Sequence, residues 1–346
     1  MQFGLYAPIP MATVGSPEVA QAAAEALGPL PHGRRDAQFD HARAVLEKAD
    51  ALGFDLCLFA ERHLGHDLAA WVLASAIAPR FENIRPLVAV HPGLFDPVMV
   101  AKLAVSLDRI CKQRMAINIV NGWFDEEFRM FGGTVLEGEE RYRRTTEFIA
   151  IMRGLWTNET FSYEGGHYKL DNGRLLLKPA SPEAPEIFSV SRSDRGRQFI
   201  AEECDWWFIE FPKEAENTDA LMRSVEASIG DMNARAKAAG RKVRYGLNPF
   251  VAVASSEESA LEDTVAQIFR HDPNPDVRKI KQRMMPALKA GCVGKPADVR
   301  RQLQRFEDLG IDLILCKMLA NPENIERIWG EALSPLGTPP PRQAAE

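Results

Sequence analysis

Short apolar runs alternate with longer amphipathic stretches along most of the chain. Residues 3–9 read as a first strand. Residues 39–52 carry apolar side chains at helical spacing and stop at Gly53, a common helix terminator. The pattern repeats with strands over 54–59, 85–90 and 115–120. Helices over 68–78, ended by Pro79, and over 98–110 separate them. A helix with one charged face follows over 139–155. Further apolar runs at 187–190, 206–209, 245–254 and 311–316 bring the strand candidates to eight.

Alternating strands and helices imply a parallel sheet, because parallel neighbours need long crossover connections. Runs that are apolar throughout fit strands buried on both faces. Eight such units predict an α/β fold, a closed (β/α)8 barrel of the TIM type with insertions in its βα loops. No Gly-x-Gly-x-x-Gly follows a strand, which argues against an open dinucleotide-binding sheet. A barrel needs about 250 residues. The 346 residues present therefore suit one elaborated domain over 1–337, with 338–346 and its three consecutive prolines as a flexible tail. Three stretches exceed a minimal barrel: 11–36, a hairpin-like 160–177 around Gly165-Gly166, and 270–293 with Pro273, Pro275 and Pro286. The first and third would be βα loops on the C-terminal face, where barrel active sites sit. The third is expected to be a mobile lid.

Composition narrows the function classes. The chain has 42 basic and 48 acidic residues, a net charge of −6, with no like-charge run, so nothing attracts nucleic acid in general. No stretch approaches the ~18 apolar residues of a membrane span. The first residues lack the basic and apolar regions of a signal peptide. Five scattered cysteines without a Cys-x-x-Cys pair predict neither a zinc site nor disulfides, and they suit a reducing cytoplasm.

Candidate chemistry clusters at strand ends. Ser191 to Arg197 lies between a strand and a helical run. Ser193 suits a helix N-cap, and the free N–H groups there, with Arg192, Arg195 and Arg197, could bind a phosphate; an ordinary capped helix is the alternative. Asn118 interrupts an apolar run, and a buried amide needs partners, from a ligand or from backbone. Glu61-Arg62-His63 and His91 end the second and third strands; a solvated loop and a structural histidine are the alternatives. Glu126-Glu127 and Glu139-Glu140 read as surface charge, since adjacent helical positions do not face each other. No Gly-x-Ser-x-Gly, His-Glu-x-x-His or Walker motif supports hydrolysis.

The stretches Asn118-Ile-Val-Asn-Gly-Trp-Phe124, Glu140-Arg-Tyr-Arg-Arg144 with Glu147-Phe148, and Pro185-Glu-Ile-Phe188 resemble the bacterial luciferase-like flavin-dependent monooxygenases. Tyr163 and Tyr168-Lys-Leu-Asp-Asn172 resemble the FMNH2-dependent dimethyl sulfone members. Ala70-Trp-Val-Leu-Ala-Ser75 and Leu87-Val-Ala-Val-His-Pro-Gly93 resemble the alkanesulfonate members. The resemblance implies a TIM barrel that binds reduced FMN across its C-terminal face. Asn118 would contact the flavin ring or ribityl chain, and Ala60 would sit under the isoalloxazine. Tyr142 would line the site, and Ser191, Arg192 and Ser193 would meet the phosphate. The family's phosphate loop is usually a Gly-Gly-Ser-Ser type, so Arg192 departs from the pattern. Trp123, Phe124, Trp206 and Trp207 would wall the site, and His91, His63 or Arg62 would manage protons. Trp123, Asn248 and Phe250 would meet substrate. Asn248 and Phe250 replace an Arg and a His of the sulfonate enzymes, which favours a smaller or neutral sulfur group. The implied partners are O2, a small organosulfur substrate whose C–S bond breaks, and a separate NAD(P)H-dependent flavin reductase. The implied assembly is a homodimer or homotetramer. A deazaflavin (F420)-dependent hydride-transfer enzyme, an oxygenase for a non-sulfur substrate and a non-catalytic flavoprotein are the competing readings.

Overall fold

Eight of the apolar runs pair in parallel and close on themselves in the computed structural model. They are β1 (Gln2–Tyr6), β2 (Leu56–Phe59), β3 (Arg85–Val90), β4 (Ala116–Ile119), β5 (Glu186–Val190), β6 (Trp206–Ile209), β7 (Arg244–Leu247) and β8 (Leu313–Cys316). Each strand pairs with the next in sequence, and β1 pairs with both β2 and β8 to complete the barrel. The described residues are 1–8, 32–61, 63, 68–122, 125–180, 184–212, 214–268, 289–318 and 320–337. Arg62, Trp123, Phe124, the tail 338–346 and most of the two long insertions lie outside them.

The strands read as unbroken apolar runs because both faces are buried, against different partners. Leu56, Leu58, Leu87, Ala116, Phe188, Trp206, Phe208, Leu313 and Leu315 fill the barrel interior. The alternate residues, among them Phe3, Leu5, Cys57, Val88, Ile117, Ile187, Trp207 and Ile314, pack in the larger cluster against the helices. Gly4 is required where the barrel closes: a Cβ there would stand 3.0 Å from the Leu56 carbonyl oxygen and 3.2 Å from the Leu315 side chain. Trp206 stacks on Phe188 at 4.8 Å and 7°, with the Arg244 guanidinium 4.2 Å from its ring centre. Glu186 pairs with both Arg85 and Arg244. These groups sit at strand starts, so Trp206 plugs the barrel floor and does not wall a site at the mouth.

The helices are α1 (Ala37–Leu52), α2 (Ala70–Ile77), α3 (Pro97–Ile110), α4 (Asp125–Met130), α5 (Gly138–Thr157), α6 (Asp194–Glu203), α7 (Thr218–Ala238), α8 (Glu257–Ile268), α9 (Pro296–Asp308) and α10 (Pro322–Ile328). Side-chain caps set several starts: Asp36, Asp96, Ser193, Asn217 and Asn321 each accept from an N–H in the first turn. Gly53 ends α1 at φ 98°, where the missing Cβ removes the steric cost. Among the described residues no helix is long and apolar enough to cross a membrane. All five cysteines are buried free thiols, and burial pushes Cys57, Cys204 and Cys316 well above the usual thiol value.

Three expectations change in detail. The run 245–254 is not one strand. It ends at Leu247, and Ala252–Val253 instead pairs in parallel with Val293–Gly294 outside the barrel. Consequently 290–293 does not belong to a lid: Ala290, Cys292 and Val293 are buried in this packing. The stretch 160–177 is indeed an antiparallel hairpin, Phe161–Glu164 with Lys169–Gly173. Finally, Glu127 is not surface charge. It is 3% exposed, whereas Glu126 is exposed as expected.

Candidate active site

Side-chain alternation along the strands shows what reaches the C-terminal mouth. Beyond Leu58 the next inward position is Ala60, and beyond Ala89 it is His91. Asn118 follows Ala116, Arg192 follows Val190, Glu210 follows Phe208, and Lys317 follows Leu315. Tyr6 continues the inward face of Gly4, and Asn248 that of Gly246. Asn248 Nδ2 donates to the Tyr6 hydroxyl. Phe250 lies beyond the end of β7, forms a single parallel bridge with Lys317, and packs against Ala252, Ala260 and Val293.

On the β2–β4 side the polar groups are buried and short of partners. His91 is 1% exposed and Asn118 is 6% exposed. His91 Nδ1, His63 Nε2, Asn118 Oδ1 and Asn248 Oδ1 have no hydrogen-bond partner among the described residues. A buried orphan of this kind costs about 1–3 kcal/mol, so each of the four is a group with capacity to spare for a ligand or a water at the mouth. His63 and His91 meet edge to face at 5.2 Å, and Phe131 and Phe95 close over the His63 ring at 5.1 and 5.9 Å. Burial drives the His91 pKa down to about 4, with the neighbouring His63 adding to the effect. Burial also lowers His63, against the opposing pull of Glu127. Glu127 earns its burial by accepting the His63 backbone N–H at 3.0 Å, and Glu61 accepts the Ala70 N–H at the start of α2.

A hydroxyl cluster stands at the start of α6. The Tyr142 hydroxyl lies 3.0 Å from Ser193 Oγ and 3.3 Å from Ser191 Oγ. Phe199 and Arg195 flank the Tyr142 ring at 5.6 and 5.4 Å. Trp207 Nε1 donates to the Ser191 carbonyl, which fixes the loop from the outer face of β6. Gly196 completes the cradle: a Cβ there would fall 1.9 Å from Ser191 Oγ and 2.6 Å from the Tyr142 hydroxyl. The arginines are differently placed from the sequence expectation. Arg195 is paired with Glu139, Arg197 with Asp231, and Arg192 with Glu210 at 3.2 Å. Among the described residues Arg192 therefore joins the inward charged groups rather than the three hydroxyls.

Tyr6, Glu127, Gly196, Glu210 and Lys317 were missed by the sequence reading. The signal for Tyr6, Glu210 and Lys317 is a polar residue at, or one position past, the end of an apolar strand. It becomes readable only once the inward face of each strand is known.

A parallel eight-stranded barrel, with buried orphan polar atoms at its C-terminal mouth beside a hydroxyl-lined helix start, defines a barrel enzyme with a site for a polar cofactor. The model of the luciferase-like monooxygenase family matches residues 1–313, and the chain belongs to that family. It is 28% identical over 334 residues to an FMNH2-dependent dimethylsulfone monooxygenase of Pseudomonas fluorescens, covering 88% of each chain. It is 27% identical over 326 residues to a protein of the same description from Pseudomonas putida, covering 86% of this chain and 87% of the relative. Among solved structures, monooxygenase RslO1 from Streptomyces bottropensis superposes with a TM-score of 0.74 at 20% identity, over 97% of this chain and 98% of that one.

Proposed function

We propose that this enzyme is the oxygenase of a two-component system in the cytoplasm. It would use reduced FMN, delivered by a separate NAD(P)H-dependent reductase, and O2 to oxidise a small organosulfur compound with cleavage of a C–S bond. The observation that carries this reading is the convergence of the orphaned Asn118 Oδ1 and His91 Nδ1 with the Tyr142–Ser191–Ser193 cradle on one barrel face. Both features fit the cofactor. Asn118 would accept from a flavin N–H or a ribityl hydroxyl, and the cradle hydroxyls with the first N–H groups of α6 would hold the phosphate. When bound, reduced flavin supplies the electrons that let one atom of O2 enter the substrate while the other leaves as water.

The chain's own residues do the rest. His91, neutral at physiological pH, offers Nδ1 as a proton acceptor or relay inside the mouth. His63 stands beside it, held through its backbone by Glu127. The Tyr6–Asn248 pair presents Asn248 Oδ1 to the substrate side. Homo-oligomer formation belongs to the same reading, supported by an exposed apolar line of Met99, Leu103 and Ile110 on one face of α3.

The test is anaerobic titration of the protein with reduced FMN and with reduced deazaflavin, followed by tryptophan fluorescence. Admission of air with dimethyl sulfone, methanesulfonate and longer alkyl analogues then follows. Quenching by reduced FMN and substrate-dependent release of an oxidised sulfur product are expected. Binding of reduced deazaflavin alone, or cofactor oxidation that no sulfur compound turns into product, would overturn the reading.

A further inference from the structure

The β5–β8 side of the mouth carries charge that the oxygenase reading leaves unused. Arg192, Glu210 and Lys317 each stand two residues past an inward apolar residue. Arg192 Nε lies 3.2 Å from Glu210 Oε2. Lys317 has this carboxylate and this guanidinium as its charged neighbours, yet makes no ion pair of its own among the described residues. Its backbone is fixed. Lys317 N donates to the Pro249 carbonyl at 2.8 Å, and its carbonyl accepts from Val251 N at 2.7 Å, extending the ladder from β8 to β7. The side chain is open to solvent, while crowding by protein depresses its ammonium below the usual lysine value.

Two cations face one carboxylate here, so the arc has one positive charge in excess. Phe208 and Leu315 beneath it keep the local dielectric low, which strengthens attraction for an incoming anion. The geometry points to a subsite for an oxyanion group of the substrate, a carboxylate or a sulfonate. Lys317 would serve as the point charge, Arg192 as the second donor, and Glu210 as the group that repels the anion into one position. His91 ends β3, three strands away from both β6 with Glu210 and β8 with Lys317, while Asn118 on β4 adjoins the strand that leads to Arg192. The anion would therefore be anchored away from the imidazole pair, with the reacting part of the molecule between. This refines the expectation from Asn248 and Phe250: the position on β7 is neutral, and the cation stands on the neighbouring strand. The inference rests on the oxygenase reading only for what the anionic group is attached to.

Calorimetric titration of the flavin-free protein tests it, with methylsulfonylacetate as anion and its methyl ester as neutral counterpart. Wild type is expected to bind the anion at least about tenfold more tightly than the ester. Lys317→Met should abolish that preference while leaving the ester's affinity unchanged, and Lys317→Arg should restore most of it. Glu210→Gln should tighten anion binding several-fold, a change that a merely structural Lys317 would not produce. Equal affinity for anion and ester, or no saturable anion binding, overturns the subsite. A Lys317→Met protein that loses FMN affinity but keeps its preference for the anion assigns the charge to the cofactor phosphate and also overturns it. Because the titration uses neither flavin nor O2, the oxygenase reading can fail while the preference stands. Oxidation of dimethyl sulfone without any anion preference sinks the subsite alone.

Discussion

His91 has an imidazole that burial holds neutral, with a pKa of about 4 against the ordinary 6.5. As pH falls below about 6.5 the unfolded chain takes up this proton before the folded one does. The associated stability is therefore complete above pH 6.5 and is lost progressively down to about pH 4, amounting to roughly 3 kcal/mol. Urea unfolding of His91→Phe should show a flatter dependence on pH across that window than wild type; identical slopes would remove His91 as the cause. Gly196 offers a second residue-scale test. Alanine normally favours a helix over glycine by about 1 kcal/mol. Here its methyl would collide with Ser191 and Tyr142. Gly196→Ala is expected to weaken reduced-FMN binding about tenfold or more, the kind of 1–3 kcal/mol penalty that overpacking imposes. Unchanged affinity in fluorescence titration would show that the cradle does not hold the phosphate.

Elements are tied to one another here by single buried carboxylates. Glu147 on α5 accepts the backbone N–H groups of Gly166, His167 and Tyr168 at 2.8, 2.9 and 3.1 Å, which fixes the hairpin turn to the helix. Asp50 at the end of α1 accepts from Glu82, Asn83 and Ile84 in the same way and sets the approach to β3. Glu147→Ala should cost about 2–4 kcal/mol of stability, since charge-assisted bonds are the stronger kind and their donors would be left unpaired. Amide hydrogen exchange should localise the loss to residues 161–173, with the barrel strands unaffected. Neither carboxylate was legible as a tie in the sequence, because each partner lies far along the chain. Where neighbours are local, the pattern was enough: 85–90 and 206–209 appear as strands with the bounds expected. Residues 245–254 differ from the expectation because an apolar run does not reveal that pairing with β8 thins to a single bridge at Phe250, nor that Val293–Gly294 offers Ala252–Val253 a second partner.

For the whole molecule, the exposed line of Met99, Leu103 and Ile110 on α3 bears on assembly. If the proposed homo-oligomer buries it, Leu103→Glu should shift the light-scattering mass toward the monomer and leave the circular dichroism unchanged. An unaltered mass would exclude α3 from the interface. At this scale the division between sequence and tertiary structure is sharp. Alternation of apolar strands with amphipathic helices determined the parallel barrel, because crossover connections and two-sided burial leave few other arrangements. It also placed His63, His91, Asn118 and Ser193 at strand ends or a helix start. What it left open was which face of each strand looks inward, because both faces are apolar. Trp206 and Trp207 are neighbours of the same type, yet one plugs the barrel floor and the other braces the Ser191 loop from outside. Only closure of the barrel decides between them. The same closure takes Arg192 to Glu210, gathers Lys317 and Tyr6 from opposite ends of the chain, and buries Glu127 under His63. These are pairings between distant residues, and no local pattern encodes them.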